Sequence, residues 1–194
     1  MTRATGRVLP REVRIIGGAW KRSKLPVGEG EGLRPTPDRV RETLFNWLGQ
    51  DLSGWRCLDA FAGSGALGFE AASRGADQVV MVERDRHLAR ALGEVKLRLS
   101  AEQVRIDNAD AIAWMARCAA ASFELVFLDP PFGTPLAGPA LDAAARIVVP
   151  DGYVYLEAPQ AMATEAADAH GFKIHRQARA GAVHFHLLQR TRPA

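Results

Sequence analysis

The chain has 194 residues, of which 47% are hydrophobic and 24% charged, so at roughly 100–200 residues per domain it is read as one soluble globular unit with a real core, and disorder by composition is excluded. Two cysteines, Cys57 and Cys118, exclude a disulfide framework and a cysteine-built zinc centre, and no metal site is expected. The net charge of +3 is uneven: residues 1–41 hold 10 Lys+Arg and 4 Asp+Glu, a balance of +6, whereas residues 42–194 hold 15 and 18, a balance of −3, which points to a nucleic-acid partner for the N-terminal segment.

The basic N-terminus lacks the apolar stretch of a signal peptide, and no apolar run approaches the ~18 residues of a spanning helix, so a cytoplasmic protein without a membrane segment is expected. Val13–Gly17 and Lys21–Val27 read as two short strands of a hairpin about Gly17-Gly18. Thr36-Pro37 supplies a helix start, Thr36 as cap and Pro37 in the first turn, and Val40, Leu44, Trp47 and Leu48 recur on one helical face to about Gly49. Strand-like and helical runs then alternate: strands 57–61, 79–83, 104–107, 125–129 and 153–157, with helices 67–74, 86–99, 111–119, 136–148 and 161–169. This alternation predicts βαβ units on a parallel sheet with helices on both faces. The last runs, 172–176 and 183–188, are joined by too few residues for a crossover helix, so the final strand is expected to be antiparallel. The expected organisation is a basic extension over 1–50 and a ligand-binding α/β domain over 51–194.

Leu58–Gly68 reads as a strand ending in a glycine-rich turn that opens a helix, where Gly63 and Gly65 let the backbone approach a ligand at the helix N-terminus. Glu83, 20 residues beyond Gly63 at the end of the next strand, is placed to accept from ribose hydroxyls. Both features suit a nicotinamide dinucleotide as well as S-adenosylmethionine. Asp59 favours the latter, because its carboxylate can face a cationic amino-acid end and would repel a pyrophosphate. The chain is also short for a dehydrogenase.

Asp129-Pro130-Pro131-Phe132 ends the fourth strand of the α/β part, beside the glycine turn in space. A carboxylate and a backbone carbonyl held by consecutive prolines can accept both N–H bonds of an exocyclic base amine, and Phe132 can stack on the base.

Together these motifs resemble class I, Rossmann-like, S-adenosylmethionine-dependent methyltransferases of the amino-methylating kind. Residues 14–18, 21–25, 33–48, 69–71 and 73–76 further resemble the RsmD family of bacterial 16S ribosomal RNA guanine-N2 methyltransferases, over about 14–190. The resemblance implies a seven-stranded sheet with an antiparallel last strand and S-adenosyl-L-methionine as cofactor. It places Gly63 and Gly65 at the methionine part, Glu83 at the ribose, and Asp110 with the Ala111 N–H at the adenine, with Ala60 a further cofactor-binding residue. Asp129 and Pro130 would hold the guanine N2, with Pro131 fixing the loop and Phe132 stacking. Arg34 and Thr36 would lie near the crevice, and Arg84 and Arg86 at its edge.

The partner would be the 16S rRNA of the small ribosomal subunit, with a monomeric enzyme. Phosphate contacts are expected from Arg11, Arg14, Lys21, Arg22, Lys24, Arg34, Arg39 and Arg41, and an RNA contact from Trp20. Trp47, Trp55, Trp114 and the His184/His186 pair are read as packing residues. Competing functions are an adenine-N6 or cytosine-N4 methyltransferase, a non-catalytic RNA-binding assembly factor, and a dinucleotide oxidoreductase.

Overall fold

The computed structural model describes residues 12–27 and 36–192. In chain order these form β1 Glu12–Arg14, β2 Lys24–Pro26, α1 Asp38–Leu48, β3 Arg56–Asp59, α2 Ala66–Ser73, β4 Gln78–Glu83, α3 Arg86–Leu99 and β5 Val104–Asn108, then α4 Ala111–Ala116, β6 Phe123–Leu128, α5 Ala137–Ile147, β7 Val148–Ala158, α6 Thr164–Ala169, β8 Phe172–Ala180 and β9 Val183–Arg190. β1 and β2 form the expected hairpin, and the other seven strands one sheet in the order β5-β4-β3-β6-β7-β9-β8. β3 to β7 pair in parallel, and β9 runs antiparallel between β7 and β8. The last strand therefore enters the sheet interior, which leaves β8 at the edge.

Side chains alternate along each strand, and the two faces collect separate clusters. Phe127, Tyr155 and Phe185 pack on one face with α1, α2, α3 and the hairpin residues Val13, Ile15 and Leu25. Val126, Leu128 and Leu156 pack on the other face with α4, α5 and α6. The hairpin and α1 thus share a core with the sheet.

α1 ends where expected, with Gly49 left-handed at φ 93° and its N–H on the Phe45 carbonyl. Its start differs from expectation: Pro37 occupies the cap position without a side-chain bond, and the Thr36 hydroxyl instead donates to Glu157 Oε1 at 2.8 Å. The fold uses that hydroxyl to fasten the chain to the sheet.

The hairpin docks on the end of α2. Gly18, at φ 71°, lies so close that a Cβ there would sit 1.8 Å from the Ser73 carbonyl oxygen. The Ala19 N–H donates to that carbonyl at 2.7 Å, Trp20 N–H donates to Ser73 Oγ at 2.9 Å, and Ser73 Oγ donates to the Gly17 carbonyl at 2.6 Å. Beneath these bonds lies Glu70, fully buried, which accepts from Arg41 Nη1 at 3.1 Å, Arg74 Nε at 2.9 Å and the Ile16 N–H at 2.9 Å. The Arg41 guanidinium also donates to the Thr36 and Arg14 carbonyls and to Asp38.

Arg41 therefore does not serve as the phosphate-binding cation expected of it. At 0% exposure its donors are spent inside the protein, and it joins α1, the hairpin and α2.

Removing one member of a buried charge network leaves its partners desolvated and unpaired. Arg41→Ala is expected to lower unfolding stability by about 3–5 kcal/mol, whereas Arg39→Ala on the exposed face of the same helix should stay within about 0.5 kcal/mol. Urea unfolding of the two variants measures this; equal, small losses would contradict the network's role.

Candidate active site

Strand register brings the expected site residues to one place. Asp59 is level with Met81 of β4 and Phe127 of β6, and Phe127 with Tyr155 of β7. Two residues further along, on the same side of the sheet by alternation, stand Glu83, Asp129 and Glu157. They form a row of carboxylates at the carboxyl ends of three strands. β3 and β6 are neighbours, yet the chain passes through β4 and β5 on the far side of β3 before returning to β6. This is the switch point where open α/β sheets bind ligands.

At its β3 side, Gly63 and Gly65 both have positive φ, 51° and 73°. A Cβ on Gly65 would lie 2.6 Å from Leu92 Cδ2 and 2.8 Å from the Phe69 ring, so close packing and backbone conformation both require glycine. Ala60 N–H bonds to Phe127 O and Ala62 N–H to Val82 O, which pins the entry to the loop between β6 and β4. Glu83 Oε2 accepts from the Gly63 N–H and Oε1 from the Asp85 N–H, each at 2.8 Å. Asn108 Nδ2 donates to the Glu83 and Arg84 carbonyls at 2.8 and 3.0 Å, joining the ends of β4 and β5. Asp110 caps α4 by accepting from the Ala113 N–H at 2.9 Å; it is exposed, as are Arg84 and Arg86, and Ala111 behind it is buried.

Asp59 has a structural partner as well. At 2% exposure it lies beneath the loop, and its Oδ2 accepts from the Gly68 N–H at 3.0 Å. This oxygen is directed at the first turn of α2 and anchors the helix. Burial is the main reason its carboxyl is pushed up to about 7, with the Gly68 bond opposing and the Glu83 charge adding to the rise.

On the β6 side Asp129 is half-buried, Pro130 buried, and Phe132 49% exposed at the mouth of the crevice. Thr134 Oγ1 donates to the Pro131 carbonyl at 2.6 Å and holds the turn. Among the described residues no hydrogen-bond donor reaches the Asp129 carboxylate, although Glu83, Asp59 and Glu157 all have donors. Burial, then the charges of Glu157 and Asp59, raise its proton affinity well above that of an ordinary aspartate.

Glu157 and its partner Tyr155 were not singled out by the sequence. Glu157 is 6% exposed, and its Oε1 accepts from both Thr36 Oγ1 and Tyr155 Oη at 2.8 Å. Burial raises its carboxyl, and the two hydroxyls oppose the rise. The signal available was the acid that ends the otherwise uncharged run 153–157. Thr36, expected near the crevice, is there as a ligand of Glu157.

Of the expected RNA contacts, Arg14, Lys21, Arg22, Lys24 and Arg39 are exposed, and Lys24 pairs with Glu12 at 2.9 Å. Trp20 is half-buried against the core, and Arg11 and Arg34 lie outside the described residues. The side chain of Arg98, on α3, donates to the Lys24 carbonyl and ties the basic hairpin to the body. Trp47 stacks on Phe185 and Trp55 on Tyr153, while Trp114 donates to Asp107. His186 is occupied by the Met162 N–H and the Leu156 carbonyl. A concavity of about 510 Å³ runs along the edge strand β5 past Arg105, Asn108 and Arg117, and Asp129 and Glu157 do not line it. No helix among the described residues is long and apolar enough to cross a membrane.

A carboxyl whose folded-state pKa is raised binds extra protons in the native state, so its contribution to stability is present at low pH and is lost as pH rises. For Asp59 this window runs from its unfolded value near 3.9 up to about 7. Asp59→Asn keeps an acceptor for Gly68 and should lose less melting temperature than wild type between about pH 4 and 7. Parallel pH profiles of the two proteins would contradict the burial of a titrating Asp59.

The model of the family described as Conserved hypothetical protein 95 matches residues 13–189. The chain is 40% identical over 187 residues, 92% of its length and 90% of the relative's, to Ribosomal RNA small subunit methyltransferase D of Escherichia coli (strain K12). It superposes on the structure titled Putative methyltransferase yhhF from Escherichia coli with a TM-score of 0.80 at 36% identity, covering 93% of this chain and 98% of that one. A more distant likeness is to the 1,6-didemethyltoxoflavin-N1-methyltransferase of Burkholderia thailandensis, solved with S-adenosylhomocysteine: TM-score 0.64, 17% identity, and 80% and 78% coverage, a likeness of fold alone. With the family model spanning the fold from hairpin to last strand, and the E. coli relative matched over nine-tenths of both chains, this chain belongs to the Conserved hypothetical protein 95 family, the RsmD family, and carries its Rossmann-like methyltransferase fold.

Proposed function

We propose that this chain transfers a methyl group from S-adenosylmethionine to the exocyclic N2 amine of a guanine in 16S ribosomal RNA, acting as a monomer in the cytoplasm on the small-subunit particle. The observation that carries the reading is the Asp129 carboxylate. Beside the glycine loop at the switch point, it has no hydrogen-bond donor among the described residues, and it lies in the loop whose exposed Phe132 offers a stacking face. The name of the E. coli relative supports ribosomal RNA as the substrate class.

The residues present suit the cofactor. Glu83 offers a carboxylate to vicinal ribose hydroxyls, and exposed Asp110 offers one to an adenine amine. The Gly63 N–H that a pyrophosphate would need already donates to Glu83, and the carboxylate would repel that group. When bound, the cofactor supplies a sulfonium methyl that needs no further activation.

The protein's task is then alignment and charge stabilisation. Asp129 and the Pro130 carbonyl accept the two N2–H bonds, which orients the nitrogen lone pair, and Phe132 stacks on the ring. As the nitrogen becomes positive, Asp129 stabilises it and takes its proton, a role suited to its raised proton affinity. The base must leave its stack to reach this depth. Arg14, Lys21, Arg22, Lys24 and Arg39 supply phosphate contacts around the hairpin, with Trp20 as a further contact.

Asp129→Ala should retain S-adenosylmethionine binding while methyl transfer to small-subunit RNA falls by about 10²–10³-fold, the scale of losing one group that stabilises developing charge. Full transfer by this variant would remove Asp129 from the chemistry. Replacing Lys21 and Arg22 together by Ala should weaken RNA binding without changing the modified nucleoside, and should reduce the slope of log affinity against log salt by about 1 per lost phosphate contact. An unchanged slope would place the RNA elsewhere.

A further inference from the structure

We propose that Glu157 is a specificity-determining residue that reads the N1–H of the target guanine, so that Asp129 and Glu157 together select guanine over the other amine-bearing bases. The inference rests on the reading of guanine N2 given above and deepens it.

The geometry begins with strand register. Leu128 of β6 is level with Leu156 of β7, so Asp129 and Glu157 follow at the same level on adjacent strands, on the face that carries the glycine loop. Glu157 is also held in place. Thr36 Oγ1 and Tyr155 Oη both donate to its Oε1 at 2.8 Å, and no donor among the described residues reaches Oε2. The side chain is thus fixed by one oxygen, the other is left without a donor among those residues, and its charge is felt by Asp129, whose own carboxylate has no donor among them either. Two acceptors stand side by side.

On its Watson–Crick edge guanine presents N2–H and N1–H as adjacent donors. Adenine presents its N6 amine next to the N1 lone pair, and cytosine its N4 amine next to the N3 lone pair. With the amine held by Asp129, guanine therefore directs N1–H at Glu157, whereas adenine and cytosine direct a lone pair at a carboxylate. The first contact is a charge-assisted hydrogen bond, and the second leaves a buried acceptor facing another acceptor. Pro130 and Phe132 are indifferent to this difference, since a carbonyl and an aromatic face suit any amine-bearing ring.

The structural alternative is that Glu157 only fastens Thr36, and with it the start of α1, to the sheet. Glu157→Gln separates the two roles. Its amide oxygen can still accept from Thr36 and Tyr155, and its amide nitrogen turns the free position from acceptor to donor.

The test first maps the guanine that wild type converts to N2-methylguanosine. It then compares kcat/KM on that RNA, in the naked or particle form that wild type methylates, with the same RNA carrying 2-aminopurine at the target. 2-Aminopurine keeps the 2-amine but has a lone pair at N1. It also lacks O6, a difference common to both enzymes that cancels in the comparison. Wild type should prefer guanine by about 10–100-fold, the range for a hydrogen bond to a charged group. Glu157→Gln should lose activity on guanine, regain it on 2-aminopurine, and bring the ratio to within a few-fold of unity. A ratio unchanged by the substitution, with both substrates slowed alike, assigns Glu157 to fastening alone and overturns the inference while leaving guanine N2 as the target. Absence of N2-methylguanosine from the wild-type reaction overturns both.

Discussion

Glu70 is the group on which the placement of the rest depends. It sits in α2, the helix that opens from the glycine loop, where every residue is buried. A carboxylate there persists only if its desolvation is offset by partners. Those partners come from three directions: Arg74 one turn along α2, Arg41 from α1, and the Ile16 N–H leading out of the hairpin. Arg41 then reaches the Thr36 carbonyl, and Thr36 reaches Glu157. A continuous chain of bonded groups therefore runs from the helix behind the cofactor loop to the carboxylate beside Asp129. The hairpin and the start of α1 are therefore built into the wall of the site, and their register against the loop is set inside the protein.

The second constraint is the parity of the sheet. Because Asp59, Met81, Phe127 and Tyr155 are level across four strands, the acids two residues further on emerge on one face. Lower down, the same face is filled by Phe45, Phe127, Tyr155 and Phe185. The carboxylates thus stand on an apolar floor, and this burial raises the proton affinity of Asp59, Asp129 and Glu157. Such a cluster is costly to fold, and ligands that bring N–H donors or positive charge to it relieve the cost. A sulfonium cofactor and a base amine are ligands of this kind.

Much of this was legible in the sequence. The alternation of apolar runs located the strands and helices from β3 onward, and the short connection before Val183 required the antiparallel strand. Gly63, Gly65, Glu83 and Asp129 carried the crevice because each stands at a strand end, where local pattern and topology agree. What escaped depends on pairings across the chain. Thr36 looked like a helix cap because a hydroxyl before proline normally serves that purpose, but its partner is 121 residues away. Arg41 was grouped with a basic run, although its spacing of three, four and seven residues from Leu44, Phe45 and Leu48 put it on the buried face of α1. Glu70, a lone charge in an otherwise apolar helix, signalled a buried partner without naming it. At Asp59, nothing local shows that the Gly68 N–H takes one of its oxygens.

On the function proposed above, one crevice brings a sulfonium methyl to a guanine amine. The most direct measurement is methyl transfer from labelled S-adenosylmethionine to small-subunit particles and naked 16S RNA from cells lacking this gene, with the modified nucleoside identified by mass. The account predicts N2-methylguanosine as the labelled product. Label in N6-methyladenosine or N4-methylcytidine, or none in either substrate, would contradict it.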